Sequence, residues 1–188
     1  MEFKLVRCDN SIWVFQRDSS RVIIPVYVDD VTVACKTRSE YSAIVSQLKK
    51  HFKLKELGET SSLLGVYIQR NRSKRCLTLS QAQYVEDVLE RFKLGSMHPV
   101  STPLDPGVRL SKEQSPQNGS ERSEMSQVPY SQLVGALMYL AIATRPDIAH
   151  SVGVLARFSS NPGMAHWKAA KHLCRYLQGT KDFKLCYY

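Results

Sequence analysis

The chain is predicted to fold as α+β, short antiparallel strands first and helices last, and three observations predict it. Apolar, mostly β-branched runs punctuated by polar turns fill the N-terminal part. Apolar residues at helical spacing dominate from Tyr130 onward. Between them, His98 to Val128 is rich in Pro, Ser, Gln, Asn, Gly and Glu and shows no period.

The first expected strand is Ile12 to Phe15, followed by a polar turn at Asp18-Ser19-Ser20-Arg21. Val22 to Val26 and Val31 to Cys35 read as two further strands flanking Tyr27-Val28-Asp29-Asp30. Pro25 removes a ladder donor, which favours a sheet edge, a strand end or a bulge. Glu40 to Phe52 carries Tyr41, Ile44, Val45, Leu48 and Phe52 on one helical stripe. Leu63 to Ile68 and Cys76 to Leu79 bracket a hairpin whose tip, Arg70 to Arg75, holds four cations. Ser80 to Gln83 resembles a capping box opening a helix with Tyr84, Val85, Val88, Leu89 and Phe92 buried.

The stretch from His98 to Val128, three basic and four acidic residues, has too little apolar surface to offset the entropy of ordering it. It is therefore expected to be a flexible linker. Helices follow over about 130–142, 147–158 and 165–177. Pro146 in the first turn, with Thr144 and Asp147, makes a helix start. In the last helix Trp167, Ala170, Leu173, Cys174 and Leu177 face a core, and Lys168, Lys171 and Arg175 share another side.

A net charge of +9 over 188 residues suits a polyanionic partner, although many basic proteins bind none. Five dispersed cysteines without a Cys-x-x-Cys pair support neither a zinc ribbon nor a disulfide framework, and imply reduced thiols and an intracellular setting. The N-terminus lacks a signal-peptide pattern and the longest apolar run is too short for a membrane span, so no membrane partner is expected. The five histidines lack metal-ligand spacing, and phosphate loops, nucleophile elbows and Cys/His pairs are absent. The chemistry narrows to carboxylates.

Asp29 and Asp30 sit where two apolar strands meet. They fit either an exposed hairpin turn or a divalent-metal site. Tight type I′ turns favour glycine, and this one has none. If the strand continues, Tyr27 and Asp29 project to one face. The basic tip (Arg70, Arg72, Lys74, Arg75) and the Lys168, Lys171, Arg175 face are candidate contacts to a nucleic-acid backbone, or simply solvated charge.

In order, the segments resemble the reverse transcriptase of copia-type LTR retrotransposons. The resemblance rests on Val26-Tyr27-Val28-Asp29-Asp30, Phe52 to Gly58, Leu63 to Ile68, Gln83-Tyr84 with Arg91-Phe92, and Thr102-Pro103. It continues through Pro129-Tyr130, Gly135 to Leu140, Thr144 to Ile148, Arg157-Phe158, His166 to Lys171 and Arg175 to Thr180.

The resemblance implies a partial polymerase palm over 1–97, a linker over 98–128 and a helical thumb-like unit over 129–188. It further implies that Asp29 and Asp30 are catalytic Mg2+ ligands, Tyr27 shapes the floor beneath the primer end, and Leu64 and Gly65 belong to a primer grip. The implied partners are an RNA/DNA template–primer and the remaining palm, fingers and RNase H portions of a Pol polyprotein. The family places a third catalytic Asp on an upstream strand followed by apolar residues. Ahead of Asp29 stand Glu2, Asp9 and Asp18, and Asp9 and Asp18 precede Asn10-Ser11 and Ser19-Ser20. The chain is thus expected to lack that carboxylate, the fingers and the RNase H motifs, and to be inactive alone. A retained, non-catalytic nucleic-acid-binding or interaction module is the alternative.

Overall fold

Val22, Ile24 and Val26 alternate along one strand and turn the same way, which is enough to seed a small core against a helix. The computed structural model describes residues 3–17 and 20–188. The chain divides into two compact units, Met1–Thr60 and Ser61–Tyr188. In the first, β1 (Lys4–Val6), β2 (Asp9–Arg17), β3 (Ser20–Tyr27) and β4 (Asp30–Val31) form an antiparallel sheet in that order. Val22, Ile24 and Ile44 are its buried centre, lined by Phe3, Phe15, Val26, Val33, Cys35 and Leu48.

The turn expected at Asp18-Ser19 lies outside the described residues, and Ser20 and Arg21 already belong to β3. Pro25 sits in an inner strand rather than at an edge, but it still breaks a ladder. Its carbonyl accepts from Thr32 N at 3.1 Å, and the return bond is impossible without an N–H. Beyond it only Ile23 and Ala34 exchange both bonds, each at 2.9 Å. The expected Val31–Cys35 strand therefore shrinks to Asp30–Val31 plus one isolated bridge.

Helix α1 (Arg38–Leu48) starts with a capping box. Thr37 Oγ1 accepts from Glu40 N at 3.3 Å, and Glu40 Oε2 accepts from Thr37 N at 2.9 Å. Ser20 Oγ donates to the same carboxylate, linking β3 to the helix start. Phe52, expected on the buried stripe, lies past the helix end and is 62% exposed.

In the second unit β5 (Ser62–Leu63), β6 (Val66–Asn71), β7 (Cys76–Ser80) and β8 (Leu185–Tyr187) form another antiparallel sheet in that order. The main core joins α2 (Ala82–Arg91), α4 (Tyr130–Ala143), α5 (Ala149–Ala156) and α6 (Met164–Gly179). Leu133, Leu137, Leu140, Leu155, Leu173 and Leu177 are fully enclosed there. The Tyr130 hydroxyl donates to the Leu155 carbonyl at 2.8 Å inside it. No described helix is long and apolar enough to cross a membrane.

Two expected helix caps are not made. Ser80 ends β7 and its hydroxyl accepts from Ala82 N at 3.3 Å, while Gln81 occupies the cap position without a side-chain bond to the helix backbone. Thr144 instead donates to Gln81 Oε1 at 2.8 Å in the interior, and a 3-10 turn (Pro146–Ile148) precedes α5.

Residues 98–128, expected to be a flexible linker, carry a 3-10 turn (Lys112–Gln114) and helix α3 (Gly119–Ser126). They run as a strap along α6, with Val100, Leu104, Leu110 and Val128 packed on the core and a series of polar bonds between them. The Thr102 carbonyl lies 3.0 Å from His172 Nε2, and the Ser111 carbonyl 3.0 Å from His166 Nε2. Ser115 Oγ donates to Asn161 O at 2.8 Å. At Gly163 the strap comes so close that an added Cβ would stand 1.9 Å from the Gln114 carbonyl oxygen. A reading based on apolar periodicity cannot see such a tether.

Candidate active site

Tyr27 and Asp30 are a register pair, so Val28 and Asp29 are the two central residues of a tight hairpin. Val28 adopts φ 52°, a left-handed conformation that a β-branched residue disfavours. Strand alternation consequently ends at Tyr27. Asp30, not Asp29, is the cross-strand neighbour of the Tyr27 phenol, and Asp29 sits on the turn itself. This corrects the expectation that Tyr27 and Asp29 share a face. All four residues are exposed, Val28 at 83%.

A divalent cation such as Mg2+ takes near-octahedral oxygen ligation. Asp29 and Asp30 supply the right donor chemistry but only two carboxylates. Among the described residues, no three His, Cys, Asp or Glu side chains gather where they could hold a metal. Asp9 begins β2, opposite Val6, where its Oδ1 accepts from Ser11 N at 2.8 Å. Glu2 and Asp18 lie outside the described residues. Among the described residues the pair by itself does not make up a metal site.

Leu64 and Gly65 lie in the second unit, between the register pair Leu63 and Val66. Their φ values of 50° and 74° define a type I′ turn. The Tyr139 hydroxyl, from α4, donates to the Leu64 carbonyl. The Tyr139 ring meets Tyr84 of α2 edge-on at 5.2 Å.

The basic hairpin forms as expected. Asn71 pairs with Cys76, and the Asn71 Oδ1 accepts from Ser73 Oγ at 2.8 Å and Lys74 N at 3.0 Å, rounding the loop. Arg70, Arg72, Lys74 and Arg75 are all exposed, Arg75 with φ 51°. On α6 the three expected cations behave differently. Lys168 is exposed beside a half-open cavity of about 510 Å³ that Arg109 and His172 also line. Lys171 lies over the half-buried Trp167 ring at 5.8 Å. Arg175 Nε donates to the His98 carbonyl at 2.7 Å and so holds the strap.

Two polar constellations escaped the sequence reading. Arg145 is buried against Asp147, Tyr176 and Thr180. Burial alone would raise the Asp147 pKa, yet the hydrogen bonds and charge of Arg145 hold it below the ordinary carboxylate value. His166 is fully enclosed, stacked on Phe158 at 4.1 Å. Its Nδ1 accepts from Gly163 N at 2.8 Å, so the proton is assigned to Nε2, which donates to Ser111 O. Burial pushes the His166 pKa down, and the bond to Ser111 opposes that shift. The only sequence signal was the Arg145-Pro146-Asp147 juxtaposition, with opposite charges flanking a proline.

A family model for reverse transcriptase (RNA-dependent DNA polymerase) matches residues 1–106. The chain belongs to that family. It is 45% identical over 170 residues to the retrovirus-related Pol polyprotein from transposon TNT 1-94 of Nicotiana tabacum, covering 90% of the chain and 13% of that protein. With the corresponding polyprotein from transposon RE1 of Arabidopsis thaliana it shares 35% over 174 residues, 93% of the chain and 11% of the relative. A putative transposon Ty5-1 protein of Saccharomyces cerevisiae is 31% identical over 166 residues, 88% of the chain and 52% of the relative. The chain thus spans a small part of the plant polyproteins and about half of the yeast protein. No solved structure matches it. It is a reverse transcriptase segment of the retrotransposon Pol kind.

Proposed function

We propose that this chain is the part of a copia-type RNA-directed DNA polymerase that presents the acidic hairpin and holds the primer end. The observation that carries the reading is the exposed Tyr27–Asp30 hairpin in a chain matched by the reverse transcriptase family. In the complete polymerase Asp29 and Asp30 would hold Mg2+, which neutralises charge on the reacting phosphates when bound. Tyr27 shapes the ground beside Asp30. The Leu64–Gly65 turn holds the primer terminus, residues 1–97 belong to the palm and 129–188 to the thumb. The template–primer duplex follows the basic surfaces, and the remaining polymerase and RNase H portions are partners. An intracellular setting, in a cytoplasmic retroelement particle or the nucleus, suits five free cysteines.

Among the described residues two carboxylates alone do not complete a metal site, and on this reading the chain by itself is inactive. Phosphoryl transfer depends almost wholly on positioning and charge stabilisation, and a missing ligand removes both. Purified chain with primer–template, Mg2+ and dNTPs is expected to show salt-sensitive duplex binding and no extension. Robust extension overturns the inactivity, and no binding at low salt overturns the nucleic-acid role.

A second reading, a non-catalytic nucleic-acid-binding module, is favoured by the four exposed cations of the β6–β7 hairpin. Asp29→Asn in a complete polymerase decides between them. Loss of extension supports the first reading; binding and extension both unchanged support the second.

A further inference from the structure

A Leu-Gly pair at the centre of a turn is locally suited to type II, in which only the glycine needs positive φ. Here Leu64 is also left-handed, at φ 50°, and its side chain is 46% exposed, so burial of the leucine does not hold it there. The twist of a hairpin favours type I′. This hairpin, however, joins a strand of two residues, with Ser62 and Leu63 paired to Tyr67 and Val66 and one further bond from Ile68 N to Ser61 O at 2.8 Å, a short ladder with which to impose twist. A further constraint acts from outside the hairpin: the Tyr139 hydroxyl donates to the Leu64 carbonyl, which fixes the peptide plane between Leu64 and Gly65. Tyr139 is itself braced edge-on by Tyr84, so two helices of the main core stand behind one exposed turn.

We propose that Tyr139 is a positioning residue that locks Leu64 in its left-handed conformation and thereby sets how the Leu64–Gly65 turn meets the primer terminus. The second half rests on the reading of that turn given above. The first half is a statement about backbone geometry and is tested separately. Asparagine tolerates positive φ far better than leucine, so Leu64→Asn should make the lock dispensable.

The experiment uses the chain itself in three forms: wild type, Tyr139→Phe, and Tyr139→Phe with Leu64→Asn. Amide hydrogen exchange is followed at Val66, with Leu137 in the core as control. Losing one hydrogen bond should speed exchange at Val66 about fivefold and leave Leu137 unchanged. The double variant should return Val66 to its wild-type rate. In parallel, a primer–template with 2-aminopurine at the primer 3′ end reports local contact, and anisotropy of the same duplex reports overall affinity. Tyr139→Phe should lose the 2-aminopurine response at unchanged affinity.

Unchanged exchange at Val66, equal acceleration at Leu137, or no rescue by Leu64→Asn overturns the lock. A wild-type chain that shows the exchange pattern but never moves the 2-aminopurine signal overturns the primer-terminus assignment alone.

Discussion

Arg145 and Asp147, two residues apart, face each other through two parallel hydrogen bonds, Nε to Oδ1 at 2.9 Å and Nη2 to Oδ2 at 2.7 Å. The guanidinium is buried and its other donors reach Thr180, the carbonyl at 3.1 Å and the hydroxyl at 2.7 Å. Tyr176 adds its hydroxyl to Asp147 at 3.0 Å. The cluster pins the start of α5 to the end of α6. Asp147→Asn should destabilise the second unit by about 3 kcal/mol, the low end for a broken buried pair because the carboxylate is partly exposed. Urea denaturation measures this. Asp147 has a depressed pKa in the fold, so its contribution is present above the ordinary value of 3.8 and is lost as pH falls below it. Asp147→Asn should flatten that acid limb, and an unchanged limb would refute the assignment.

The His166 imidazole responds in a different pH range. Its pKa is lowered on folding, so between the ordinary value of 6.5 and the lower folded value the unfolded chain binds the extra proton. Stability from this group is complete above 6.5 and declines as pH falls through that window. His166→Gln should reduce the difference in thermal midpoint between pH 7.5 and pH 5.5 relative to wild type. His166→Ala leaves the Gly163 N–H and the Ser111 carbonyl without partners and should cost about 2 kcal/mol at pH 7.5.

Gly163 is required for space rather than for backbone freedom. An alanine Cβ would stand 1.9 Å from a carbonyl oxygen and 3.0 Å from its carbon, both backbone atoms of the strap. Gly163→Ala should therefore cost about 1–3 kcal/mol and loosen residues 111–115. Limited proteolysis of the variant should cut within those residues first.

Val28 carries the opposite prediction. A β-branched residue at φ 52° on an exposed turn gives up conformational energy with no packing in return. Val28→Asn should stabilise the first unit by about 1 kcal/mol, read as a higher urea midpoint. If it does so while abolishing extension in a complete polymerase, the strain belongs to function.

Lys74 and Arg175 should part company, although both read as backbone contacts in the sequence. Lys74→Ala should weaken duplex binding and lower the salt slope by about one unit, as expected for one lost phosphate contact. Arg175→Ala should mainly destabilise, because its Nε is engaged by the His98 carbonyl. Equal effects on binding would place both on the duplex.

The legible parts of this fold were those written in apolar period. The stripes of α2 and α6, the basic hairpin and the β3 strand follow from side-chain spacing alone. Parts held by polar geometry were illegible. Nothing in local sequence tells that His172 reaches back to Thr102, or that Thr144 turns inward to Gln81 instead of capping a helix. The acidic pair was found by its flanking strands, but its geometry depended on Val28 leaving the β region, which shifted the Tyr27 partnership from Asp29 to Asp30. Tyr139 gave no signal, since its role depends on a carbonyl in a distant turn.

Strand β8 joins the sheet at β7, whose chain left that sheet before α2 to α6 were traversed. Leu79 pairs with Leu185, Thr78 with Cys186 and Leu77 with Tyr187. Closing so long a loop costs entropy that three short pairs repay only once the helices have brought the ends together. The last strand therefore acts as a reporter of folding order. Its amides should gain protection after those of α4 and α6, and the β7–β8 edge should be the first part of the second unit to open under mild denaturant.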